Sequence, residues 1–111
     1  MPYANEKRIQ LAVDTSTSGN NELISAPGDG SYLAIDFLLI NPNGGGQTLT
    51  IVTGSTTIFS LTLDDNQPFT IENAIHDPEG IIKCGNNEAF VLNLGAGTQV
   101  TGYIKYRVFN N

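Results

Sequence analysis

The sequence predicts an all-β domain: an eight-stranded antiparallel β-sandwich, wound as a jelly roll, with an immunoglobulin-like sandwich as the alternative. Three observations predict it. Apolar residues recur at every second position rather than every 3.6, and β-branched and aromatic residues crowd those runs. The runs are short and evenly punctuated by Gly, Pro, Asn and Asp clusters. The last of them, 98–109, places Val100, Gly102, Ile104, Tyr106 and Val108 on one parity and Thr101, Tyr103, Lys105, Arg107 and Phe109 on the other. A chain that closes inside its own sheet belongs to a compact unit.

Taken in order, 8–14 alternates Ile9, Leu11 and Val13. A short run over 22–26 stops at Pro27, and Gly28, Asp29 and Gly30 supply a turn. The run at 32–40 is long and apolar, and Pro42 is expected to end it before a flexible tip at Gly44, Gly45 and Gly46. Gly54 and Ser55 separate 47–53 from 56–63 at hairpin distance. Asp64, Asp65, Asn66, Gln67 and Pro68 form a polar corner before 69–75. Asp77, Pro78, Glu79 and Gly80 form a turn before 81–84. Cys84, Gly85, Asn86 and Asn87 form another before 88–94, and 99–109 completes the set. The expected organisation is an N-terminal arm over 1–7 and one sandwich domain over 8–111.

Composition bounds the function. A chain of 111 residues makes one domain. Its hydrophobic share is 40%, but only 14% of residues are charged, against a usual ~25%. Thr, Ser, Asn, Gln and Gly supply the polarity, which suits a protein lying against other proteins. The net charge is −6 and the pI about 4.3. Five Lys and Arg form no basic stripe, so neither nucleic acid nor an anionic membrane is an expected partner. The start lacks an apolar run and is not expected to be a secretory signal, and no segment approaches the ~18 continuous apolar residues of a membrane span.

No constellation of reactive groups stands out, and the chain is not expected to be an enzyme or to hold a cofactor or metal. His76 is the single histidine and sits on a Pro-Gly turn, short of the three or four ligands a metal site needs. There is no G-x-S-x-G elbow. Asp64, Asp65 and Asn66 carry oxygen ligands without a calcium-loop spacing. Cys84 is the single cysteine, expected as a small hydrophobe in or near a strand. Sugar binding needs exposed aromatics sharing a face. Tyr103 and Tyr106 lie on opposite faces of one strand, and Tyr3 and Tyr32 are the other tyrosines.

The 32–40 run carries more apolar surface than a monomeric sandwich uses. Leu33, Ile35, Phe37 and Leu39 form one face. Tyr32, Ala34, Asp36, Leu38 and Ile40 form the other, which is also mostly apolar. Antiparallel strands commonly show one face to water, so something is expected to cover the outer one: a loop, the N-terminal segment or another subunit. For the last of these the five residues are the candidate subunit interface. If a neighbouring backbone or ring comes close to Gly102, Gly102→Val is expected to destabilise the fold by overpacking.

The C-terminal part carries a pattern. It runs from Pro68-Phe69-Thr70-Ile71-Glu72-Asn73 through Gly80-Ile81 and Asn87-Glu88-Ala89-Phe90-Val91-Leu92-Asn93-Leu94 to Val100-Thr101-Gly102-Tyr103-Ile104-Lys105-Tyr106. This resembles the jelly-roll decoration, or cement, proteins of tailed bacteriophage capsids. The resemblance implies a homotrimer on the outside of the virion head, near three-fold positions, bracing neighbouring copies of the major capsid protein. It implies synthesis in a host cytoplasm. The 1–7 segment then becomes an arm, with Pro2, Tyr3, Asn5 and Lys7 as candidate capsid contacts. Similar endings occur in tail and fibre modules, which with a carbohydrate-binding sandwich are the alternatives.

Overall fold

A computed structural model describes the backbone of residues 3–4 and all of 8–74 and 79–110. The strands are β1 (Tyr3–Ala4), β2 (Ile9–Thr15), β3 (Gly19–Ile24), β4 (Ser31–Asn43), β5 (Gln47–Thr53), β6 (Thr56–Leu63), β7 (Phe69–Glu72), β8 (Ile82–Lys83), β9 (Phe90–Leu94) and β10 (Gln99–Asn110). They pair antiparallel throughout, in a six-stranded and a four-stranded sheet.

The pairing is nested. β5 pairs with β6, β4 with β7, β3 with β9 and β2 with β10. The chain is thus one long hairpin whose tip is the turn at Gly54 and Ser55. Winding that ribbon adds the pairs β4–β10 and β5–β9. The sheets then read β2-β10-β4-β7 and β3-β9-β5-β6, the arrangement of a jelly roll. β1 and β8 extend the larger sheet.

Alternation builds the core. Leu49, Ile51, Phe90, Leu92 and Leu94 from the smaller sheet meet Leu33, Ile35, Leu38, Ile40, Val100 and Ile104 from the larger. Each such side chain contributes about 1.5–3 kcal/mol of burial. Cys84 joins this core, 1% exposed.

Several boundaries differ from expectation. β4 runs through Pro42 to Asn43. In an antiparallel strand a residue's N–H and C=O point the same way. The Pro42 carbonyl accepts from Asn66 N at 2.7 Å, away from β10, so the missing N–H costs β4 no bond to β10. The Gly44–Gly45 tip is not loose, because Asp65 Oδ1 accepts from Gly44 N at 2.8 Å and Gly45 N at 3.1 Å. The run at 22–26 begins earlier and ends at Ile24, the run at 69–75 stops at Glu72, and that at 88–94 starts at Phe90. The run at 81–84 keeps only Ile82–Lys83 as strand.

Gly102 does sit against a neighbouring backbone. It pairs with Ile40 and Val13 at a φ of +155°, and a Cβ there would collide with the Leu39 carbonyl oxygen.

Candidate functional site: the outer face of the six-stranded sheet

The face is organised by one irregularity. Along the β4–β10 ladder Lys105 stands opposite Phe37 and Tyr106 opposite Ile35, which leaves Asp36 without a partner on β10. Asp36 is a β-bulge, and an extra residue in a strand reverses the side-chain parity beyond it. Before it, Leu33 and Ile35 enter the core; after it, Leu38 and Ile40 do, both 0% exposed.

The proposed interface set is therefore divided. Leu38 and Ile40 belong to the interior and cannot meet another subunit. Tyr32, Ala34 and Asp36 remain on the outer side, but the chain covers them itself. Tyr32 stacks on Phe109 with centroids 5.0 Å apart, Lys83 Nζ lies 4.8 Å from the Tyr32 centroid, and Arg107 lies 5.1 Å from that of Phe109. The surplus apolar surface read from alternation is closed by the last strand. The outer residues beyond the bulge are Phe37 and Leu39 instead.

Asp36 turns outward and its carboxylate is saturated. Oδ2 accepts from Arg107 Nε at 2.7 Å and Arg8 Nε at 3.1 Å. Oδ1 accepts from Arg107 Nη2 at 2.8 Å and Asn73 Nδ2 at 3.1 Å. The Asp36 carbonyl accepts from Asn73 N at 2.8 Å, which ties the bulge to the end of β7. Burial is the largest single influence on this carboxyl and pushes its pKa up. The bonds from Arg107, Asn73 and Arg8 and the charge of Arg107 outweigh that and hold it below the ordinary carboxylate value.

Beside this cluster lies a groove of about 180 Å³, lined by Arg8, Asp36, Phe37, Glu72, Asn73 and Lys105. Phe37 stacks on Tyr103 across the strands, with centroids 5.0 Å apart and planes 23° apart. Both rings are half-buried. Alternation assigns Phe37 to the core, so the sequence hides this pair; the bulge brings it out. Tyr106, by contrast, packs against the core. A second groove, of about 390 Å³ and mostly apolar, opens between the sheets beside Leu11, Leu23, Pro27 and Tyr106.

The two outer faces differ in charge. The strands of the smaller sheet hold Glu22 as their single charge. Its face is a ladder of hydrogen-bonded pairs: Thr48 with Thr62, Thr50 with Ser60, Asn93 with Asn20. Every described cation, Arg8, Lys83, Lys105 and Arg107, is in or beside the larger sheet.

The remaining sequence candidates are placed as follows. Tyr3 pairs with Asn110 and Ala4 with Phe109, so this part of the expected arm adds to the chain's own sheet. Pro2, Asn5 and Lys7 lie outside the described residues, as do His76, Asp77 and Pro78. Burial pushes the Cys84 thiol up to about 12, with Glu88 adding to the shift. Among the described residues no three of His, Cys, Asp and Glu gather as metal ligands. No protein-family model and no curated protein matches the sequence.

Proposed function

We propose that the chain is a structural virion protein: a homotrimeric decoration protein that sits on the outside of a tailed-phage head and braces neighbouring coat subunits. The observation that carries this reading is the division of labour between the two outer faces. The smaller sheet offers a face with almost no charge, whose hydroxyls and amides already bond one another. Laying such a face on a protein shell costs little desolvation of charge, the main penalty at polar contacts. The larger sheet holds the aromatic rings and arginines that a subunit contact favours. Three linked copies multiply a weak shell contact, raising avidity ~10²–10⁴-fold. The C-terminal segments that resemble cement proteins lie on β7, β9 and β10, the returning half of the wound ribbon. The test is co-sedimentation with capsids, paired with absolute mass in solution. Saturable binding by a three-chain species supports the reading; a monomer that leaves capsids bare sinks it.

The second reading, a carbohydrate-binding sandwich, is favoured by the Phe37–Tyr103 pair. It lies among Arg8, Lys105, Glu72 and Asn73, groups that bond hydroxyls and carboxylates. A glycan array probed with the wild type and with Tyr103→Ala separates it from the first, because it requires a signal that the substitution removes.

A further inference from the structure

We infer that the groove lined by Arg8, Phe37, Glu72 and Lys105 is a subunit contact that receives the acidic corner at 64–67 of a second copy. The inference rests on the trimer reading above and names the surfaces that would meet.

The groove takes a side chain rather than a whole ligand. Ligand pockets usually measure ≈ 300–1,000 Å³, and this one measures about 180 Å³. Arg107, behind the groove, pairs with Asp36 through two bonds, which leaves Arg8 and Lys105 against Glu72 alone, a surplus of one positive charge. Asp36 is used up on Arg107, Arg8 and Asn73, yet Arg8 and Lys105 both line the groove. Arg8 keeps 48% of its side chain exposed and offers its Nη groups beyond the Nε bond to Asp36. Glu72 stands on the opposite side, on β7. The half-buried Phe37–Tyr103 pair beside them supplies a stiff apolar wall, the type of anchor that interfaces favour.

The partner is chosen by charge. In a chain of net charge −6, the described cations gather around this face. Asp14, Asp36, Glu72 and Glu79 share this side of the molecule, whereas Glu22, Asp29, Asp64, Asp65 and Glu88 lie off it, with no described cation paired to them. The corner between β6 and β7 concentrates two of them, Asp64 and Asp65, on an exposed turn. Asp65 spends one oxygen on Gly44 and Gly45, which leaves Asp64 to reach Lys105 and Arg8 of the next copy. The corner and the groove are different surfaces, so the contact is heterologous, which gives a ring of three where the rotation closes.

A charge swap tests it. The masses of the wild type, Lys105→Glu, Asp64→Lys and the Lys105→Glu/Asp64→Lys double variant are followed by light scattering, at about 20 mM and about 0.5 M salt. Unchanged circular dichroism establishes that each variant folds, and Lys105→Gln serves as a milder second variant. The expected result is a three-chain species in the wild type, weaker at high salt. Each single reversal weakens association by about tenfold or more, Lys105→Gln less, and the double variant recovers. A wild type that forms trimers, with single variants that do so equally well, overturns this contact and leaves the trimer reading standing. A wild type that stays monomeric at low salt and high concentration overturns both.

Discussion

Arg107 grips both oxygens of Asp36, with Nε at 2.7 Å and Nη2 at 2.8 Å, on a sheet face where Asp36 is 5% and the Arg107 side chain 11% exposed. A bidentate pair this sheltered holds the one residue of β4 that has no partner on β10. The bulge and the ion pair are therefore one device. It explains why a carboxylate interrupts an otherwise apolar strand.

Removing one partner strips a buried charge of its bonds. Asp36→Ala is expected to destabilise the fold by about 3–5 kcal/mol. Arg107→Ala is expected to cost a similar amount, and the double variant clearly less than the sum. Urea denaturation of the four proteins measures the coupling; simple additivity would show that the pair does not act as a unit.

The same carboxylate makes stability fall toward acid. Its pKa is held below the unfolded value of about 3.9. The stabilisation is therefore complete above that value and is lost as the pH falls through the lower, folded one. Denaturation midpoints of the wild type should drop between about pH 5 and about pH 2, and Asp36→Asn should show a shallower drop. Parallel profiles would assign the acid sensitivity to other carboxylates.

Gly102 tolerates no side chain, because Leu39 lies against it and its φ of +155° disfavours L residues. Gly102→Ala and Gly102→Val should each lose at least about 1–3 kcal/mol. Chemical denaturation reads this directly, and an unchanged midpoint would mean that β4 and β10 can part without cost.

The Tyr32 hydroxyl is buried and finds no hydrogen-bond partner among the described residues. An unpartnered buried hydroxyl costs about 1–3 kcal/mol. Tyr32→Phe keeps the stack on Phe109 and should leave stability unchanged or raise it by about 1 kcal/mol. A clear loss in thermal or urea unfolding would mean that the hydroxyl is bonded in solution.

Cys84 should resist thiol reagents at about pH 8, since burial suppresses its thiolate. Labelling followed by mass spectrometry should show modification only when denaturant is added. Rapid labelling of the native protein would place the thiol at the surface.

Sequence alone determined the class of fold. Period-two alternation in runs such as Ile9-Leu11-Val13 and Phe90-Leu92-Leu94, separated by turn residues, dictates strands that bury one face, whatever their order. It also marked Cys84 as a small hydrophobe in or near a strand and Gly102 as a position where a close neighbour would forbid a side chain, both from residue type within a strand. The order β2-β10-β4-β7 came from the winding of one ribbon, which no local signal encodes. The site was the least legible part. A bulge shifts parity by one residue, and a reading by alternation carries that error to every later position. Phe37 thus looked internal, and Leu38 and Ile40 looked external. Tertiary structure reversed them, because Asp36 finds Arg107, Arg8 and Asn73 only when four distant stretches of chain meet on one sheet.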